Sequence, residues 1–194
     1  SISRKKRHYH WRLKRHRRRL RGAFCRPRRP CRLNRSGLPA LESLAATLRG
    51  RYSAAQKVLV YSLDVGDLEG CETMMATVAD AFGGVDVLVN NAGYHFRGDV
   101  HEASPGELAK MVTVNLTAPI VLSRLALNYM LPAARGAIVN VASLAGCVPL
   151  PHAATYSATK FGIRAFSIAL ADEVADKGVT LSCVSPWPVD TEFL

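Results

Sequence analysis

Tyr156 and Lys160 stand four residues apart in the run Tyr156-Ser157-Ala158-Thr159-Lys160, and Ser143 lies thirteen residues upstream of the tyrosine. On a helix, positions i and i+4 share a face, so an ammonium there can approach a phenol and lower its pKa from about 10. A phenol held that way can give and take a proton near neutral pH. Ser143 follows an apolar stretch, and its hydroxyl can bond the same oxygen that the phenol protonates. Taken alone the pair is weak, because many helices carry Tyr-x-x-x-Lys on a solvated face. Its weight comes from what stands around it in order: Asp64-Val65, Asn90-Asn91-Ala92-Gly93, Asn115 and Ser185-Pro186.

Those residues need strands and helices to bring them together. Leu41, Leu44, Ala45 and Leu48 fall at helical spacing in a segment that closes at Gly50, and residues 57–64, with Val58, Val60 and Leu63, read as a buried strand. Residues 68–82 read as a helix ending at Gly83-Gly84, and residues 85–89 as a strand running into Asn90. Ser104-Pro105-Gly106-Glu107 has a capping serine, proline at the first helical position and glutamate three on from the cap, so a long helix should run to about Tyr129. Residues 137–141 predict a strand, 154–176 a helix stopped by Gly178, and 179–184 a final strand. Val- and Ile-rich strands alternating with helix-length crossovers predict an α/β fold, a doubly wound parallel sheet in three layers, helix on sheet on helix. Ligands of such sheets bind at the carboxyl ends of the strands, which is where Asn90, Ser143 and Pro186 fall.

Charge divides the chain. The first 35 residues hold sixteen Lys and Arg and no acidic residue, whereas the remainder has ten basic against fifteen acidic residues, a net of −5. The overall +11 therefore belongs to the first segment and gives the main body no electrostatic case for binding nucleic acid. The expected division is a basic segment, 1–37, and one domain, 38–194, long enough for a single core. No apolar run is expected to reach membrane-spanning length, and no signal-peptide core is visible. Cys25, Cys31, Cys71, Cys147 and Cys183 are odd in number and lack Cys-x-x-Cys or metal-ligand spacing. Reduced thiols in a cytoplasmic location are the expectation, with Cys147 and Cys183 as small buried apolar residues.

From about Leu38 to the last residue, these motifs resemble the short-chain dehydrogenase/reductase family in identity, order and spacing. The resemblance implies a Rossmann-like domain that lacks the first strands and the C-terminal lid. It implies an NAD- or NADP-dependent oxidoreductase that moves hydride between the nicotinamide and a ketone or secondary alcohol. Ser143, Tyr156 and Lys160 match the catalytic serine, tyrosine and lysine, and Asn115, in Val114-Asn115-Leu116, matches the asparagine that holds a proton-relay water through its backbone. On the cofactor side, Asp64 and Val65 match the segment that meets the adenine, and Asn91, Ala92 and Gly93 the loop lining the cleft. The resemblance also implies cofactor contacts for Tyr156 and Lys160, the lysine at the nicotinamide ribose, while Pro186, Val189 and Thr191 match the segment that meets the carboxamide. Homodimers or homotetramers built through the helices carrying Asn115 and Tyr156 are implied as well. Each residue has a plainer alternative: a turn for Asp64, Asn90 and Asn91, a back-bonding side chain for Asn115, a loop for Ser143, and polar surface for His152.

Two departures stand out. Trp187 occupies the place of the family's glycine in Ser185-Pro186-Trp187-Pro188-Val189-Asp190-Thr191, where the indole either crowds the nicotinamide or points outward. The Gly-rich turn that cradles a pyrophosphate at a helix N-terminus should precede residue 40, where the arginine block stands instead. The run His8-Tyr9-His10-Trp11-Arg12-Leu13-Lys14-Arg15-His16-Arg17, read one nucleotide later, permits Ile-Ile-Thr-Gly-Ala-Ser-Ser-Gly-Ile-Gly. Only the first glycine is forced, by the tryptophan codon. The expectation is that residues before about Leu38 are translated out of frame. The competing reading is an inactive relative whose basic arm binds nucleic acid or an acidic partner; salt-dependent DNA binding lost on removing residues 1–35 would favour it. Genomic DNA spanning codons 1–40 should encode the glycine turn in the neighbouring frame, and its absence there would end the frameshift idea.

Overall fold

Period-2 burial in the strands sets the architecture. The structure, a computed structural model, describes residues 38–51 and 58–187. The basic segment 1–37, Val189 and Thr191 lie outside the described residues. The elements run α1 (Leu38–Arg51), α2 (Leu68–Phe82), β1 (Val87–Asn90), α3 (Pro105–Val112), a π turn (Thr113–Thr117), α4 (Ala118–Met130), β2 (Gly136–Val141), a short 3-10 turn (Leu144–Gly146), α5 (Ala154–Glu173) and β3 (Val179–Val184). The strands form a parallel sheet in the order β1-β2-β3, with Asn90 beside Asn140 and Asn140 beside Cys183. Parallel strands need long crossovers, and here helices supply both.

The local signals act as expected. Asp67 caps α2 by accepting from the Gly70 N–H at 2.9 Å, and Gly83, at φ 72°, closes that helix in the left-handed region. Ser104 and Glu107 form a complete capping box at the start of α3. The long helix differs from a regular one at its middle, where a π turn joins α3 to α4. Such a bulge re-aims a side chain without ending the helix.

Three expectations change. Residues 58–64 form no hydrogen-bonded strand, because no described strand lies beside them to complete a ladder. Leu59, Tyr61 and Leu63 still pack against the main core at the spacing of an extended chain. The continuous helix from Pro105 to Met130, 26 residues with an 18-residue window of mean hydropathy 1.2, is long and apolar enough to cross a membrane by length and composition, contrary to the sequence reading. Half of its apolar window is buried in the protein, with Ala118, Leu122, Ala126 and Met130 packed into the core. Cys147 is exposed rather than buried, since it follows the 3-10 turn outside the core, while Cys183 is half-buried.

The core contains a polar bridge that sequence reading did not assemble. Asn90 on β1 donates to Ser123 Oγ on α4 at 3.1 Å and to Asn140 Oδ1 on β2 at 2.8 Å. Asn140 in turn donates to Ser167 Oγ on α5 at 2.9 Å. Ser123 and Ser167 bond back to the Pro119 and Ile163 carbonyls, four residues earlier on their own helices. All four side chains are buried. This bridge ties two strands to both covering helices, so Leu88 and Ile138, of the same parity, also face the helix layer. Replacing Asn140 by alanine strands the Asn90 donor and the Ser167 acceptor, at an expected cost of about 1–3 kcal/mol. Chemical denaturation checks this; an unchanged midpoint would mean the bridge contributes nothing.

Candidate functional site

At the carboxyl ends of β1 and β2 the chain turns toward α5, and glycine makes one turn possible. A Cβ on Gly146 would lie 2.5 Å from the Lys160 carbonyl oxygen, so only glycine lets the segment after β2 rest on the α5 backbone. That approach brings Ser143 to the first turn of α5. Ser143 also caps the 3-10 turn, accepting from the Ala145 N–H at 3.2 Å. Pro186, just past β3, accepts from the Leu144 N–H at 3.1 Å, so the ends of β2 and β3 are joined next to Ser143.

Tyr156 and Lys160 are both buried on α5, on the face that meets the sheet. The Lys160 Nζ donates to the Val141 carbonyl at 2.9 Å and lies over the Tyr156 ring, 5.6 Å from its centre. Burial pulls the lysine down from 10.5 to about 8, with Cys183 opposing. Burial also pushes the Tyr156 phenol up, and a hydrogen bond with Ser143 pulls it partly back. The expectation that the lysine lowers the phenol is therefore corrected: burial sets the direction, Ser143 opposes it, and the ammonium is directed to a backbone carbonyl. Ser143, Tyr156 and Lys160 are nonetheless brought together.

Asn115 sits at the centre of the π turn and is buried. Its side-chain carbonyl accepts from the Tyr94 N–H at 2.7 Å, and its amide donates to the Tyr94 carbonyl at 2.7 Å and to Thr159 Oγ1 at 3.3 Å. Thr159 donates to the Tyr156 carbonyl at 2.7 Å. Asn115 is thus neither solvated nor bonded back to its own helix. It locks the loop after β1 to α5. Thr159 went unnoticed in the sequence, although its place one residue before Lys160 and three after Tyr156 puts it on the same face. His95 was missed too; its ring lies 4.3 Å from that of Tyr156, centre to centre.

The cofactor-side residues are more dispersed. Asp64 accepts from the Gly66 N–H at 3.0 Å in a turn, with the Lys110 ammonium 3.9 Å away and both side chains largely exposed. Val65 is buried, and its carbonyl accepts from the Cys71 thiol. Asn91 is exposed, and Ala92 and Gly93 are half-buried. Trp187 is 73% exposed, so of the two orientations considered the outward one is found. His152 is surface, paired with Asp99 at 2.6 Å.

Comparison with known proteins gives a consistent match. The family described as short chain dehydrogenase matches residues 34–194. The chain is 35% identical over 132 residues to 3-oxoacyl-[acyl-carrier-protein] reductase FabG of Vibrio cholerae, covering 68% of this chain and 54% of that protein. It is 36% identical over 137 residues to D-beta-hydroxybutyrate dehydrogenase of Rhizobium meliloti, covering 71% of this chain and 53% of that one. Among solved structures, an actinorhodin polyketide ketoreductase variant with NADPH superposes with a TM-score of 0.74 at 35% identity, covering 80% of this chain and 59% of that one. A metagenomic short-chain oxidoreductase in complex with NADP gives 0.70 at 34% identity, covering 77% and 68%. The chain spans about half the length of the curated relatives it matches.

The buried lysine has a consequence for stability. Its folded pKa, about 8, lies below the unfolded value near 10.5. Between those values the unfolded chain holds the proton and the folded chain has released it, so stability rises with pH through that window. Below it the full penalty applies, about 3 kcal/mol. Wild-type stability measured against Lys160→Met should climb between pH 8 and 10.5; a flat difference would show that the ammonium is not desolvated.

Proposed function

The chain belongs to the short chain dehydrogenase family, and from that premise we propose that it is an NAD(P)-dependent oxidoreductase interconverting a ketone and a secondary alcohol. The observation that carries this reading is the convergence of Ser143, Tyr156 and Lys160 at the carboxyl ends of the strands, with Asn115 locking the loop beside them. The nicotinamide supplies or accepts the hydride. The protein's part is to handle the charge that develops on the substrate oxygen.

Tyr156 gives that oxygen its proton, and Ser143 donates a second hydrogen bond to it. A phenol pushed up by burial is protonated at neutral pH, which suits the reducing direction. An ammonium has three donors, and the contact to Val141 uses one. The others suit ribose hydroxyls, and an occupied site would bring the charge of Lys160 to bear on the phenol. Asn115 keeps the loop and helix in register during this transfer. With a cofactor bound, Asn91, Ala92 and Gly93 would line its cleft, Asp64 and Val65 would meet the adenine and Pro186 the carboxamide; Val189 and Thr191, assigned to the same carboxamide segment, lie outside the described residues.

Between NAD and NADP, the relatives solved with NADPH and NADP make NADPH the first cofactor to try. The reductase and dehydrogenase relatives make β-ketoacyl and β-hydroxyacyl compounds the first substrates. Free Cys71, Cys147 and Cys183 suit a cytoplasmic setting. Phe161 and Ile168 expose one stripe of α5 at i, i+7 spacing, which suits a homodimer or homotetramer.

Oxidation of NADPH or NADH followed by absorbance against a ketone panel tests the reading. Tyr156→Phe should lower turnover by at least ~100-fold while the cofactor still raises the melting temperature. Turnover retained in that variant would sink the mechanism. Loss of cofactor binding together with salt-dependent DNA binding would favour the inactive relative instead.

A further inference from the structure

The loop that follows Gly93 places an imidazole on the phenol ring. His95 lies with its ring 4.3 Å from that of Tyr156 and tilted by 46°. The residue before it is fixed, because Asn115 holds both backbone groups of Tyr94. The residue after it is fixed too: Phe96 packs into a small apolar cluster with Met111, Ala145, Ala153 and Tyr156. A Cβ on Gly98 would lie 3.0 Å from the Phe96 ring, so glycine at residue 98 eases the close approach of the loop to that ring. Beyond it, the Gly98 N–H donates to the His152 carbonyl at 2.8 Å, and His152 pairs with Asp99. His95 is therefore carried on a loop anchored on both sides.

We propose that His95 is a positioning residue for Tyr156: its neutral imidazole holds the phenol ring in place, and charging the imidazole loosens that hold. The inference rests on the reading of Tyr156 as the proton donor. Groups on three segments gather about the contact between Tyr156 and His95. α5 supplies Tyr156 and, across the phenol, the Lys160 ammonium; the segment after β2 supplies Ser143, bonded to the phenol; the loop itself supplies Arg97. Met111 from α3 and Ala145 contribute apolar surface to the cluster around Tyr156. Farther along the same loop are the carboxylates of Asp99, paired with His152, and Glu102, beside Gly98. An imidazolium would sit near the Arg97 guanidinium in a partly buried contact. Burial first, and then Arg97, accordingly hold His95 below its ordinary 6.5. Its charging belongs to pH below that value, and the neutral, seated form to pH above it.

The test does not require turnover. With ring-carbon-labelled tyrosine, the Tyr156 resonance is assigned by its loss in Tyr156→Phe and followed from pH ~7.5 to ~5. In the wild type it should shift with an inflection below pH 6.5. In His95→Phe, which keeps an aromatic ring at the contact, the inflection should vanish. A flat wild-type titration, or the same inflection in His95→Phe, overturns the proposal. In the reductase assay, His95→Phe should lose the acid-side decline when each profile is scaled to its own maximum; an unchanged profile shape also overturns it. Failure of the Tyr156 reading is seen separately, as turnover retained in Tyr156→Phe.

Discussion

Asn115 makes a contact on which the whole site depends. Its amide presents one acceptor and two donors, and the structure uses all three: both backbone groups of Tyr94 and the hydroxyl of Thr159. A buried amide left partly unsatisfied costs more than a made bond contributes, so this arrangement is strongly selected over nearby alternatives. Three elements meet there: the loop leaving β1, the π turn, and the first turns of α5. The π turn is the geometric condition, since it gives Asn115 its place within an otherwise continuous helix. Loop and helix then carry His95 and Tyr156 into contact.

The polar bridge under the sheet does for the layers what Asn115 does for the site. A sheet face packed only with aliphatic side chains can slide with modest change in buried area. Asn90, Ser123, Asn140 and Ser167 fix β1, α4, β2 and α5 at specific depths relative to one another. The buried surface around them supplies the attraction, and the amides supply the register.

Much of this was legible in the residues. Helix α2, the capping box of α3 and strand β3 follow from caps, glycines and apolar spacing that act within a few residues of themselves. Tyr156, Ser143 and Lys160 were legible as a group through the order of the motifs around them and the family resemblance those motifs carry, since the helix-face spacing alone is weak. The π turn was not, because nothing in Thr113-Val114-Asn115-Leu116-Thr117 distinguishes it locally from an α-helical run; the tertiary bonds of Asn115 accompany it. The direction of the Tyr156 shift was missed for a related reason: burial is a property of the assembled fold, and it outweighed the helix-face argument. Residues 58–64 show the same limit, since a strand exists only with a neighbour.

Lys160 is held in a place that does not suit an ammonium, beside a carbonyl and an aromatic ring and away from water. The fold tolerates it, and much of the surrounding packing would be content with a neutral chain of similar length. That sets heat resistance against chemistry at one position. A library of variants sorted on melting temperature alone would enrich replacements of this lysine, and the most robust survivors would be the ones least able to carry out the proposed reaction.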